Sequence, residues 1–221
     1  MRVLSLGILL LLCFQAAVFS FARPPKPSAA PTGSISILID NFEDGNIGVD
    51  PEWWVFDNIK LLPSHNPALG AIALEIGGET SDWYVGGFGT YLARPEHDFS
   101  SFGYLELAVY GGGPRSGILK IELYEDDNNN WQIEQDPKQN YAPVFDDRFS
   151  YELKVDWQGW KQIKIPLTEF ADTNPLAGDN IWNPQKLGKS GGLLQMQFIA
   201  LASSKSGAVH YIIDDVRFSS P

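Results

Sequence analysis

Aromatic residues with polar neighbours are the residues of this sequence that are best suited to bind a ligand. The chain has seven tryptophans and eight tyrosines, and several lie close to Asp, Asn, Gln or Arg. A flat ring can stack on the apolar face of a pyranose sugar, while planar polar groups pair with its hydroxyls. We predict a carbohydrate-binding face formed by Trp54, Trp83, Tyr84, Trp131, Tyr141, Asp147, Arg148 and Trp182.

The local sequence separates exposed rings from structural ones. Trp54 follows another tryptophan, so on a strand one of the two points away from the core. Trp131 follows a polar turn, and Trp182 lies in a stretch rich in Asn and Pro. Trp157 and Trp160 flank a turn beside an apolar strand, which indicates a structural role. Any single ring of the predicted face could instead close the core or the base of a loop.

The sequence contains no pattern typical of catalysis. His65, His97 and His210 are scattered without metal-ligand spacing, and no Gly-x-Ser-x-Gly motif is present. A glycosidase needs two carboxylates about 5 to 10 Å apart across a cleft, and no such pair stands out among 27 acidic residues. We therefore predict that the protein is not an enzyme.

Two partial motifs also fail. Gly-Lys-Ser at 188–190 resembles the end of a phosphate-binding loop, but Asn183 occupies the position of its first glycine. Asp-x-Asn-x-Asn at 126–130 begins like an EF-hand calcium loop, but Trp131 stands where that loop needs glycine and Pro137 where it needs a bidentate glutamate. A hairpin turn explains the second motif better.

The N-terminal segment predicts export. Residues 1–22 combine a positive start, an apolar run and small residues at the end, which is typical of a signal peptide cleaved after Ala22. Ala17 is an alternative cleavage site, and an uncleaved anchor is the alternative role. The apolar run is shorter than the roughly 20 residues that span a membrane. We predict a secreted or periplasmic protein that does not contact the membrane after cleavage.

The remaining chain divides into a linker and one domain. Residues 23–34 are rich in Pro, Ala and Ser, which predicts an extended spacer. Residues 35–218 show no second break and are long enough for one sizeable core. Cys13, inside the predicted signal peptide, is the single cysteine, so the mature chain has no disulfide and no cysteine ligand for a metal.

Charge narrows the range of partners. The full chain has a formal net charge of −11, and removal of Arg2 with the signal peptide makes it −12. An acidic surface repels nucleic acid and anionic membranes and favours neutral ligands or cations. Plain solubility is the other explanation of the charge.

Hydrophobic periodicity predicts strands. Apolar residues alternate with other residues at 105–109, 119–123 and 163–165, and turn residues bound each run. No window sustains a helical stripe. The pattern predicts an all-β, antiparallel β-sandwich or jelly roll. Residues 173–192 are rich in Asn, Pro and Gly and predict a long surface loop.

Three sequence segments carry a family resemblance. The chain opens with Ile-Ser-Ile-Leu-Ile-Asp at 35–40, contains Gly-Trp-x-x-Ile-x-Ile-Pro-Leu-x-x-Phe at 159–170, and closes with Ile-Asp-Asp-Val-x-Phe at 213–218. It resembles the galactose-binding-like sandwiches that include family 11 carbohydrate-binding modules and the complex I intermediate-associated protein 30 family. The resemblance implies the sandwich fold and strands at the two chain ends that belong together.

The resemblance also implies ligands. Many relatives of this type hold a structural calcium where the first and last strands meet, and the carboxylates that would match here are Asp40, Glu43 and Asp214. The alternative is that these acids end strands and accept backbone hydrogen bonds. The expected partner is a neutral polysaccharide or oligosaccharide, bound by a monomer. A protein-interaction or assembly module with an envelope protein partner is the alternative function.

Overall fold

Short alternating segments form strands wherever turn residues bound them. The computed structural model describes residues 35–92, 98–139, 141–185 and 192–221. The predicted signal peptide and linker, residues 1–34, lie outside the described residues, as do His97 and the Gly-Lys-Ser at 188–190. No helix in the described part of the chain is long and apolar enough to cross a membrane.

The described residues form fourteen strands and two short 3-10 turns, Pro137–Gln139 and Leu167–Glu169. The strands are β1 (Ser36–Asp40), β2 (Trp53–Asp57), β3 (Lys60–Ser64), β4 (Ala73–Thr80), β5 (Tyr84–Tyr91), β6 (Tyr104–Gly112), β7 (Gly117–Glu125), β8 (Gln135–Asp136), β9 (Ala142–Pro143), β10 (Asp147–Val155), β11 (Gln158–Pro166), β12 (Ala171–Asp172), β13 (Leu193–Leu201) and β14 (Gly207–Ser219).

Two six-stranded antiparallel sheets form the domain. Sheet 1 has the order β11-β6-β14-β4-β3, with β1 paired to β14 beside β4. Sheet 2 has the order β12-β10-β7-β13-β5-β2, and β8 and β9 form a separate small hairpin. The pairing of β1 with β14 confirms that the two ends of the domain belong together.

The core lies between the sheets because each sheet turns its apolar positions inward. In β6, Leu105, Leu107 and Val109 are fully buried, as the alternation predicts. Trp53 of β2 lies against Phe88 and Phe198 of sheet 2, with ring centroids 5.3 and 5.8 Å away. Trp53 therefore points into the core, and strand alternation turns Trp54 to the other face, as the adjacent pair of tryptophans predicts.

The connection between β7 and β10 is longer than the predicted hairpin turn. The two strands do pair antiparallel, but residues 126–146 form an excursion that contains β8, a 3-10 turn and β9. At its start, the Asp126 carboxylate accepts hydrogen bonds from the backbone amides of Asn130 and Trp131. These local bonds form the turn, and the chain then folds back as its own small hairpin before it enters β10.

Candidate functional site

A cleft of about 1020 Å³ lies over the outer face of sheet 2. Strand alternation explains its floor, because the side chains that do not enter the core emerge on this face. Hydrogen-bonded register sets them in rows across the sheet. One row runs from Trp54 on β2 through Gly89 and Gln197 to Glu122 on β7. The volume is at the upper end of the roughly 300–1,000 Å³ typical of small-ligand sites.

The aromatic end of the cleft depends on two glycines of β5. A Cβ atom on Gly89 would lie 2.6 Å from the Trp54 ring and 2.8 Å from Cγ of Gln197. A Cβ on Gly87 would lie 2.5 Å from the ring of Phe56. The missing side chains therefore let both rings lie against β5. Tyr91 extends the aromatic surface, with its ring centroid 4.7 Å from that of Trp54.

Replacing Gly89 with alanine is expected to displace the Trp54 ring and to lower the free energy of unfolding by about 1–3 kcal/mol, the usual cost of overpacking. Denaturant unfolding measures the stability, and near-ultraviolet circular dichroism reports the tryptophan environment. Gly112→Ala is the matched control, because a Cβ there meets its nearest atom at an ordinary 3.5 Å. Equal stability of the two variants would contradict this packing.

The polar end of the cleft is organised around Glu122. Its carboxylate lies 2.8 Å from the Lys120 ammonium and 3.9 Å from Nε of Arg148. The Tyr124 hydroxyl donates a hydrogen bond of 2.6 Å to the same carboxylate. Burial, followed by the charge of Glu122, raises the pKa of Tyr124, so that this hydroxyl stays protonated. The result is a row of fixed donors and acceptors beside the aromatic end.

Four of the predicted carbohydrate-binding residues line this cleft: Trp54, Tyr84, Tyr141 and Arg148. Tyr84 donates a hydrogen bond through its hydroxyl to Asp57, and burial raises its pKa. Tyr141 belongs to the 126–146 excursion, which lines one side of the cleft. Nε of Arg148 donates to Oγ1 of Thr173, which holds its guanidinium at the edge of the cleft.

The structure does not bring the other four predicted residues into the cleft. Asp147 points to the opposite face of sheet 2 from Arg148, because successive strand residues alternate. Trp182 packs edge-on against Phe149 at the core, with ring centroids 5.2 Å apart. Trp83 precedes β5, and Trp131 lies in the polar turn, so each is an exposed ring outside the cleft.

Several cleft residues were not predicted from the sequence. Phe56, Glu122, Tyr124 and Gln197 all line it. Phe56 stands on β2, at the edge of sheet 2, between two exposed neighbours. Glu122, Tyr124 and Gln197 stand on β7 and β13 between buried neighbours, which is the pattern of any outward-facing side chain. Nothing in that pattern distinguishes a strand face inside a cleft from one open to solvent. As predicted, Trp157 does not line the cleft, and it packs against the core.

An acidic cluster lies on the other side of sheet 2, where β7 ends and β10 begins. Glu125, Asp127 and Asp147 each place a carboxylate oxygen within 4.8 Å of the others, and this cluster could hold a metal ion. Burial raises the pKa of Glu125 to about 9, and neighbouring carboxylates act in the same direction. Burial, and then the charge of Asp127, raises the pKa of Asp147 to about 7, although the backbone amide of Asn180 lowers it.

The carboxylates that match the family's structural calcium do not form such a cluster. Asp40 accepts hydrogen bonds from the Phe42 amide and from Nε1 of Trp53. Glu43 accepts from the amides of residues 71 and 72, and Asp214 from those of residues 68 and 69. Each acid therefore ends a strand or fastens a loop through backbone hydrogen bonds, as in the alternative considered for them.

The β-sandwich is similar in fold to solved carbohydrate-binding modules. The chain is similar to the family 11 carbohydrate-binding module from Clostridium thermocellum solved in complex with a β-1,3-1,4-mixed-linked tetrasaccharide. The sequence identity is 18%, the alignment covers 83% of this chain and 94% of that one, and the TM-score is 0.51. A second structure of a family 11 module, from a cellulosomal cellulase of the same organism, is also similar. Its sequence identity is 17%, the alignment covers 84% of this chain and 95% of that one, and the TM-score is 0.51.

A family 30 carbohydrate-binding module is also similar, with 15% identity, coverage of 84% of this chain and 88% of that one, and a TM-score of 0.50. No protein-family model matches the chain, and no curated protein matches its sequence. At these identities the likeness establishes the fold. The protein has the β-sandwich of carbohydrate-binding modules, which confirms the predicted fold and its resemblance to family 11.

Proposed function

We propose that this protein binds a neutral polysaccharide non-covalently in the sheet 2 cleft. The observation that carries the proposal is the arrangement of the cleft floor, with Trp54 and Phe56 at one end and the hydrogen-bonded group around Glu122 at the other. The aromatic end offers rings to the apolar faces of sugars, and the polar end offers donors and acceptors to hydroxyls. The cleft volume suits several sugar units.

Charge favours a neutral polymer over an acidic one. The cleft is lined by four carboxylates, those of Asp57, Asp82, Glu122 and Glu152, and by two cationic side chains. Four negative charges against two positive charges leave a net charge of −2. The negative cleft would repel the carboxylates of a uronic acid polymer, whereas a neutral glucan, xylan or mannan carries no charge to be repelled.

We assign no catalytic step to the cleft. Glu122, on the cleft floor, is held by Lys120 and Tyr124. A carboxylate fixed in this way orients its neighbours and accepts hydrogen bonds from sugar hydroxyls. We further propose that the chain is exported, secreted or periplasmic, and that it acts as a monomer. The apolar sequence of residues 1–22 supports export.

Affinity gel electrophoresis of the purified protein tests the proposal. Mixed-linked β-1,3-1,4-glucan is the first polymer to try, because a neighbour in fold was solved with a tetrasaccharide of that linkage. Xylan and mannan follow, and polygalacturonate serves as the anionic control. We expect retardation by at least one neutral polymer and none by polygalacturonate. A folded protein that no neutral polymer retards would contradict the proposal and favour the protein-interaction alternative.

A further inference from the structure

Strand register creates the acidic cluster. Glu125 is the last residue of β7 and Asp147 is the first of β10, and the two are direct partners in the antiparallel ladder. Asp127 follows two residues after Glu125, and one of its carboxylate oxygens lies within 4.8 Å of those of Glu125 and Asp147. Glu125 and Asp147 have no exposed surface, although both carry ionisable side chains. Residues far apart in sequence are thus held together inside the protein by the backbone pairing of sheet 2.

The cluster lacks the partners that buried carboxylates need. Neither carboxylate oxygen of Asp147 has a hydrogen-bond partner by distance and angle, although the Asn180 amide lies near enough to lower the pKa of this carboxyl. Glu125 accepts one backbone amide, that of Asn183, and Asp127 accepts the amide of Asp147. Among the described residues, no lysine or arginine forms an ion pair with any of the three. Burying a carboxylate without a partner is costly unless a proton or a cation neutralises it.

A loop closes the third side of the cluster. A Cβ atom on Gly178 would lie 1.9 Å from Oδ1 of Asp147 and 2.6 Å from Oδ2 of Asp127. Gly178 has a φ of +69°, a backbone conformation that glycine adopts without strain. The loop therefore approaches the carboxylates as closely as a bare backbone allows. It also brings Asp179, whose charge acts on all three carboxylates of the cluster.

We propose that Glu125, Asp127 and Asp147 bind a calcium ion that joins the 173–185 loop to the paired ends of β7 and β10. Calcium takes oxygen ligands at about 2.3–2.6 Å, so two ligands of one ion lie at most about 5 Å apart. The observed limit of 4.8 Å satisfies this condition. Magnesium fits less well, because it retains several waters and the cluster is buried. This site is separate from the family position at Asp40, Glu43 and Asp214.

The ion would also stabilise the cleft from the opposite face of sheet 2, and this consequence rests on the proposed function. Arg148, the residue after Asp147, faces the cleft and is held through Thr173 and Asn174 of the same loop. An ion that fixes Asp147 and the loop would fix the guanidinium as well. Calcium is therefore expected to tighten polysaccharide binding without touching the sugar.

Metal content and thermal stability test the site without any sugar. The purified protein is stripped with a chelator, dialysed against calcium and analysed for bound metal. Its Tm is measured with and without calcium. We expect calcium at about 100 times its Kd to raise the Tm by about 5–10 °C. Asp147→Asn should bind one calcium ion fewer than the wild type, and its Tm without calcium should equal or exceed that of the calcium-free wild type, because one buried charge is removed.

Asp127→Asn should also bind one calcium ion fewer than the wild type. This second variant keeps the test valid if Asp147→Asn fails to fold. Asp214→Asn is the control for the family position and should retain the ion assigned to Asp147. Equal calcium contents of the wild type and Asp147→Asn would overturn the proposal. A wild type that binds no calcium would overturn it as well. Neither result depends on polysaccharide retardation, so failure of this site and failure of the proposed function can be told apart.

Discussion

Replacing Trp54 with alanine is expected to weaken polysaccharide binding by about 30-fold or more, because a tryptophan at the centre of an interface typically contributes 2 kcal/mol or more. Trp54 is the largest ring on the cleft floor. It is held between Tyr91 and the bare backbone of Gly89, so its face is already in place for a sugar. Removing it deletes the platform and leaves the polar end of the cleft unchanged. Affinity electrophoresis over a series of polymer concentrations gives the ratio of the two dissociation constants.

Trp83→Ala is the matched control for Trp54→Ala. Trp83 is 49% exposed and stands just before β5, outside the cleft. Its removal is expected to leave polymer retardation unchanged. Comparable loss of binding in both variants would mean that the ligand lies elsewhere on the surface. Loss in Trp83→Ala alone would place the binding face outside the sheet 2 cleft.

Replacing Phe198 with alanine is expected to lower the free energy of unfolding by about 3–5 kcal/mol, the usual cost of removing a buried phenyl ring. Phe198 has no exposed surface and packs against Trp53 and Phe88, with ring centroids 5.8 and 5.2 Å away. The three rings join β2, β5 and β13, so the cavity would open in the core beneath the β2 side of sheet 2. For a chain of this size, the Tm should fall by about 6–20 °C.

Phe145→Ala supplies the comparison for Phe198→Ala. Phe145 is 54% exposed, so its loss should change the unfolding free energy by less than about 0.5 kcal/mol. Thermal and urea unfolding of both variants, measured in parallel, give the two values. If Phe198→Ala unfolded like the wild type, the Phe198 ring would not occupy the core between Trp53 and Phe88.

The fold could be predicted because its determinants are local. Leu105, Leu107 and Val109 alternate with other residues, and period-two alternation specifies a strand with one buried face. The chain ends carry family sequence patterns, and β1 does pair with β14. The excursion at 126–146 was missed because nothing in the polar turn at its start shows that the chain will form a second hairpin before it returns.

The site could be predicted only in part, because a cleft is a property of tertiary packing. Trp54 was found because two adjacent tryptophans cannot share one face of a strand. Glu122 was missed because an acidic residue between apolar neighbours resembles any solvent-facing position. Asp147 was predicted to bind sugar beside Arg148, but the alternation that places Arg148 in the cleft turns Asp147 to the other side of the sheet. Its proximity to Glu125 depends on register, which the length of the intervening excursion conceals.

The pairing of β1 with β14 has a practical consequence for the architecture. Both strands belong to sheet 1, and the Ser220 amide donates a hydrogen bond to the Ile35 carbonyl, while the Ile35 amide donates one to the Ser220 hydroxyl. The two ends of the domain are therefore neighbours, and they lie in the layer behind the one that carries the cleft. A domain with adjacent ends can be inserted into a surface loop of another protein, or circularly permuted, with little disturbance of either partner. Here such a graft would leave the whole cleft facing outward.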